Sequence, residues 1–248
     1  MNKCAVILAG GEGKRMKSDI PKPMNPVLDR PMLRWVIDAV RDAGIEQICV
    51  VTGYRKKVTE DYLRSLPFMV DTAYQSQRLG TGHAVMMARE FLERIGGDVV
   101  ILCGDAPFMD ADTIADAYRR HDESGAAATV ISAVLDDPTG YGRIVRHDDG
   151  TLCRIVEQKE ADEQTRRICE VNSGAYWFDT DSLLSVLDSI TADNQAGEYY
   201  LPDALTLLLH SGRTVAAFTA ASADTVLGAN DPEQLEQLCR IARQKGYQ

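Results

Sequence analysis

The 248-residue chain has no apolar run approaching the ~18 residues that a membrane-spanning helix requires, and no basic-then-apolar leader opens it. A cytoplasmic protein is therefore expected. Positive charge is also short: 27 Lys and Arg stand against 37 Asp and Glu, a formal net charge of -10, which argues against nucleic acid or an anionic membrane as a partner. The six cysteines contain no CxxC pair, and Cys4, Cys49 and Cys103 fall in apolar runs where small buried thiols are ordinary, so reduced thiols are expected. His83 takes part in no HExxH or other zinc spacing and is read as structural. Two phosphate-binding patterns are missing as well. GxxxxGK[ST] fails because Gly13-Lys14 runs into Arg15, and GxGxxG fails because Met16 stands where its last glycine belongs.

What is present is AVILAGGEGKRMKSDIPKP, from Ala5 to Pro23. Ala5, Val6, Ile7 and Leu8 form an apolar run of the length expected of a parallel strand buried on both faces. Gly10, Gly11 and Gly13 then remove side chains that would block a phosphate, so backbone N–H groups can face oxygen. Lys14, Arg15, Lys17 and Lys22 concentrate positive charge in an otherwise acidic chain. The segment reads as a cradle for a triphosphate.

Apolar runs recur at Cys4 to Leu8, Gln47 to Val51 and Val99 to Leu102, with amphipathic stretches at Met32 to Ala43 and His83 to Ile95 between them. Such alternation predicts an α/β fold with a parallel sheet. A helix to about Ser124, the strand AAATVISAVL and two short strands around Asp149-Gly150 are expected next, the last pair forming an antiparallel ribbon that could wall a second pocket. The strand EVNSGAYWFD, helices near Asp181 to Ser189 and Tyr200 to Leu209, a strand at Thr214 to Phe218 and a helix from Pro232 to Lys245 complete the pattern. Without a linker, low-complexity tract or internal repeat, residues 1–248 are expected to form a single domain.

Asp105 follows Val99-Val100-Ile101-Leu102-Cys103-Gly104 and so falls at the C-terminal end of a buried strand, where open parallel sheets bind ligands. Magnesium is held by one or two carboxylates together with phosphate and water oxygens, so one aspartate there would suffice as anchor, although the same residue could simply cap the turn before Pro107. In VLGANDPEQL, Asn230 and Asp231 stand before a helix opened by Pro232, and either could be its N-cap.

The opening G-G-x-G-x-R-M with a downstream P-K-P resembles the signature of the sugar-phosphate nucleotidyltransferases. YQSQRLGTGHA, LCGDAPF, DDPTGYGRIVR, IVEQKEA, EVNSGAYWF and NQAGEYYLPDAL follow in order and together resemble the uridylyltransferase domain that makes UDP-N-acetylglucosamine. The resemblance implies a Rossmann-like, mixed, mostly parallel sheet flanked by helices, the nucleotide-diphospho-sugar transferase fold, with a small antiparallel β insertion on the sugar side. A nucleotide-binding half to about residue 110, a sugar-binding half over about 111–230 and a C-terminal helix at 232–245 follow from it. It further implies UTP and a sugar 1-phosphate as substrates and Mg2+ as cofactor. Asp105 and Asn230 would hold the metal, leaving Asp231 as the cap, while Arg15 and Lys22 act with Asp105 in catalysis. Leu8, Gly10, Gly11, Gly13, Gln75, Gly80 and Thr81 would bind the nucleotide; Gly142, Glu157, Asn172 and Tyr200 would bind the sugar.

The chain departs from that pattern at three places. LAGG stands where LAAG is more usual, Cys103 stands where a tyrosine is common, and no hexapeptide repeat follows, so acetyltransferase activity is expected to be absent. A uridylyl- or thymidylyltransferase for glucose 1-phosphate or another hexose 1-phosphate, and a non-catalytic sugar-nucleotide sensor or regulatory subunit, remain open as alternatives, as does the oligomeric state.

Overall fold

Alternate residues of the first strand face two different cores. In the computed structural model, which describes residues 2–247, Cys4 and Val6 of β1 (Lys3–Ala9) enter one apolar cluster and Ala5 and Ile7 another. Burying each such Val or Ile on both faces contributes roughly 1.5–3 kcal/mol, so the strand is held from above and below.

A two-stranded hairpin, β2 (Pro26–Val27) and β3 (Arg30–Pro31), leads into α1 (Met32–Asp42), which buries Leu33, Val36, Ile37 and Val40 as its spacing predicts. β4 (Gln47–Thr52), α2 (Lys56–Arg64), β5 (Asp71–Tyr74), α3 (Thr81–Met87), α4 (Arg89–Ile95) and β6 (Asp98–Cys103) follow. The single helix expected over His83 to Ile95 is thus two, because the Ala88 N–H bonds the Val85 carbonyl and resets the turn. Then come α5 (Ala111–Ser124), β7 (Ala128–Val134), the ribbon of β8 (Arg143–Arg146) and β9 (Leu152–Val156), α6 (Glu163–Arg166), β10 (Glu170–Asp179), α7 (Thr180–Leu187), α8 (Pro202–His210), β11 (Val215–Thr219) and α9 (Pro232–Gln244).

The main sheet runs β11-β7-β10-β6-β1-β4-β5. Neighbours in β6, β1, β4 and β5 are parallel, whereas β10 runs against both β6 and β7, so the sheet is mixed and mostly parallel as expected. β8 joins β10 only through Arg143 opposite Val171, leaving the antiparallel ribbon projecting from the sheet. Helices α1 and α5 cover one face; α3, α4, α7 and α8 cover the other. Asp110, Asp162, Asp179 and Asp231 each accept the amide three residues on, capping α5, α6, α7 and α9. Among the described residues no helix is long and apolar enough to cross a membrane.

Candidate active site

The C-terminal ends of β1, β4, β5 and β6 meet at one edge of the sheet, and the segments leaving β1, β5 and β6 help enclose a cleft of about 320 Å3. Leu8, Gly10, Gly11, Lys22, Gln75, Gly80, Thr81 and Asp105 all line it. Gly13 shapes the first loop: its φ is +66°, and a Cβ there would stand 2.8 Å from Lys22 Cβ. Met16 N–H then reaches the Gly13 carbonyl at 2.8 Å and closes one 3-10 turn over Lys14–Met16. Among the described residues the amides of Gly11, Glu12 and Gly13 have no backbone acceptor, which leaves them for anionic oxygen. Arg15 is exposed on this loop and does not line the cleft.

Lys22 opens the next 3-10 turn between Pro21 and Pro23, and its ammonium pairs with the Asp105 carboxylate and donates to Asn230 Oδ1 at 2.8 Å. Asn230 is oriented by Gln234, whose Oε1 accepts both Asn230 N and Nδ2, at 2.8 and 3.1 Å. Its oxygen therefore faces Lys22. Asp231 accepts Gln234 N–H at 2.9 Å and is the cap of α9, so the two adjacent residues divide the roles. One oxygen from the end of β6 and one from the loop before α9 thus converge on a single cationic nitrogen. Hard oxygen donors in that arrangement suit a divalent cation of the magnesium kind, which needs few protein ligands when phosphates supply others. Among the described residues no group of three or more His, Cys, Asp and Glu side chains gathers to hold a metal unaided.

Gln75 is only 5% exposed; its Nε2 donates to the Gly80 carbonyl at 3.0 Å and lies 3.1 Å from His83 Nδ1. Gly80 has φ of +107°, and a Cβ there would come within 2.5 Å of the Tyr199 carbonyl. Three further bonds lace the same place: Gly82 N–H to Tyr199 O and Tyr199 N–H to Leu79 O, both 2.8 Å, and Leu201 N–H to Thr81 Oγ1 at 3.0 Å. The segment before α8 is thereby fastened to the loop before α3.

On the ribbon side, Gly142 makes room for Glu157, whose Oε1 would lie 3.2 Å from a Cβ at residue 142. Burial, then Glu160 and Asp203, raise the Glu157 pKa, and burial followed by Glu160 raises that of Asp203. Asn172 lies at the bulge of β10, donating to Tyr176 Oη at 2.7 Å and accepting Gly174 N–H at 3.0 Å. The Gly174 carbonyl in turn faces the Cys103 thiol, at 3.6 Å, so Asn172 is tied to the wall of the cleft. Burial, with Asp105 adding, pushes that thiol up to about 12, and Cys103 lines the cleft as a neutral group. Tyr200 is half-buried, and burial raises its phenol pKa. Arg78 and Glu12, not among the residues expected at the site, pair at 3.0 Å between the glycine loop and the loop after β5. Their positions inside GGEG and YQSQRLG were the available signal.

Comparison with known proteins places this geometry. The nucleotidyl transferase family profile matches residues 4–225. A protein of Caldanaerobacter subterraneus named "Bifunctional protein GlmU" is 42% identical over 241 residues, 97% of this chain and 52% of the relative. One of Geobacillus thermodenitrificans with the same name is 41% identical over 245 residues, 99% of this chain and 53% of the relative. The chain spans about half the length of these curated relatives. A solved UDP-glucose pyrophosphorylase complexed with UDP-glucose shares the fold with a TM-score of 0.81 at 19% identity, covering 99% of this chain and 100% of that one. A UDP-glucose pyrophosphorylase from Acinetobacter baumanii gives 0.76 at 22% identity, covering 98% and 93%. Matched over most of its length by the family profile, the chain belongs to the nucleotidyl transferase family.

Proposed function

We propose that this protein transfers a uridylyl group from UTP to N-acetyl-α-D-glucosamine 1-phosphate, releasing pyrophosphate and forming UDP-N-acetylglucosamine. The observation that carries the reading is the convergence of Asp105 and Asn230 oxygens on the Lys22 ammonium beside a glycine loop with free amides. The identity to GlmU proteins supports the choice of substrates.

The attacking sugar phosphate is already an anion, so no general base is required. Catalysis then consists of holding two mutually repelling anions in line and neutralising charge at the α-phosphorus. Asp105 and Asn230 would hold Mg2+, which when bound supplies positive charge to the phosphates of both substrates. Lys22 contacts the α-phosphate or the incoming phosphate, and Arg15 on the loop rim stabilises the departing pyrophosphate. Leu8, Gly10, Gly11, Gly13, Gln75, Gly80 and Thr81 bind the nucleotide. Glu157 accepts sugar hydroxyls, with Gly142, Asn172 and Tyr200 completing that pocket. Both halves share one sheet, which supports reading them as a single domain.

The test is pyrophosphate release with Mg2+ across UTP, dTTP and CTP, each paired with the 1-phosphates of N-acetylglucosamine, N-acetylgalactosamine, glucose and glucosamine. Preference for UTP with N-acetylglucosamine 1-phosphate is expected. Preference for glucose 1-phosphate would move the assignment to a hexose 1-phosphate enzyme, and binding without release would make the protein a sensor.

A further inference from the structure

We infer that His83 is a positioning residue that fixes the direction of the Gln75 amide and so makes the cleft select a pyrimidine presenting an N–H, uracil or thymine, over cytosine. The inference deepens the UTP reading and rests on it. Gln75 is buried, and its Nε2 is held at two points, the Gly80 carbonyl at 3.0 Å and His83 Nδ1 at 3.1 Å. A carbonyl only accepts, so the nitrogen end of the amide must face Gly80. An amide nitrogen has two hydrogens and no available lone pair, so His83 Nδ1 must accept the second, and the imidazole carries its proton on Nε2.

Both hydrogens are then used. Among the described residues nothing donates to Gln75 Oε1, which lies 3.0 Å from where a Cβ on Gly10 would stand; Gln75 and Gly10 both line the cleft. A side-chain amide can offer both a donor and an acceptor, but here it presents an acceptor alone. Uracil and thymine carry a hydrogen on N3, whereas N3 of cytosine is a lone pair that would face the lone pairs of Oε1. Cytosine could meet Oε1 only by sliding its amino group into place, away from the register set for the phosphates by the glycine loop. If the imidazole is removed, Gly80 alone holds Nε2, one hydrogen is freed and the amide can rotate to offer it. Base choice then weakens, although the ring itself need not touch the nucleotide.

The experiment measures Kd by calorimetry for UTP and CTP, in the presence of Mg2+, with the wild-type chain, His83→Ala and His83→Asn. Asparagine can place Oδ1 where Nδ1 stood. The wild type is expected to favour UTP, His83→Ala to shrink the CTP-to-UTP ratio of Kd about tenfold, and His83→Asn to retain most of it. A wild type without preference, an unchanged ratio in His83→Ala, or a loss in His83→Asn as large as in His83→Ala would overturn the assignment. Any misfolded fraction alters the binding stoichiometry and leaves Kd untouched. UTP binding with the expected ratios but without pyrophosphate release would overturn the transfer reaction and leave this inference standing.

Discussion

The glycine-loop side of the cleft and the ribbon side treat charge in opposite ways. On the first, Lys22 is already paired with Asp105, and unpaired backbone amides stand ready for anions. On the second, Glu157, Glu160 and Asp203 come together with no ion pair to a cation among the described residues, and burial together with their mutual repulsion raises the pKa of Glu157 and Asp203. On the proposed reading a triphosphate would meet donors and positive charge, whereas sugar hydroxyls, which donate, would meet carboxylates. The difference teaches that each side suits the polarity of the group proposed for it, and that the side facing uncharged sugar hydroxyls carries the electrostatic strain.

Removing charge from the two sides should therefore have different signatures. The largest effect is expected from Lys22→Ala and Asp105→Ala, each lowering turnover roughly 10²- to 10³-fold, by analogy with lost oxyanion donors, in a protein that still folds. Steady-state rates with circular dichroism check this, and near-wild-type turnover would remove both residues from the chemistry. Next, Glu157→Gln should raise KM for the sugar phosphate about tenfold, the scale of a hydrogen bond to a charged group, while KM for UTP holds. An equal rise for both substrates would erase the division between the sides.

The same variant sharpens the comparison through stability. Because the folded-state pKa of Glu157 is raised above its usual 4.5, its contribution to stability is complete below that value and is lost as pH rises through the folded-state pKa. Glu157→Gln should therefore melt above wild type at pH 7 and lose that advantage towards pH 4, as thermal unfolding across pH would record. The smallest effect concerns scaffold alone: Asp231→Ala removes the cap of α9 and should cost about 1 kcal/mol in denaturant titration. Since Asn230 is oriented by the Gln234 side chain, turnover should fall far less than in Asp105→Ala.

Strands buried on both faces were plain in the sequence: β1, β4 and β6 lie within a residue of the expected runs, and EVNSGAYWFD is β10 itself. The β5 edge and its helix were not, although β11 at the opposite edge lies within a residue of its expected run. β5 is four residues long and mostly exposed, and α2 buries only Thr59 and Leu63, so neither carries an apolar pattern to read. At the site, the glycine loop and Asp105 could be located because strand ends and backbone amides follow from local sequence. The Gly80–Tyr199 fastening, the Arg78–Glu12 pair and the role of His83 depend on residues that meet only through the fold. His83, read as structural, contacts a buried side-chain amide in the cleft lining.

One reversed strand has a further consequence. β7 ends and β10 begins at the same edge of the sheet, Val134 opposite Glu170, because β10 runs against its neighbours. Everything between them, residues 135–169, therefore departs from and returns to the rim that carries the cleft. Lengthening or reshaping that excursion would alter what stands over the proposed acceptor side without shifting a single register in β6, β1, β4 and β5. On the proposed reading, acceptor choice could in this way change by insertion and deletion while the nucleotide crevice keeps its geometry.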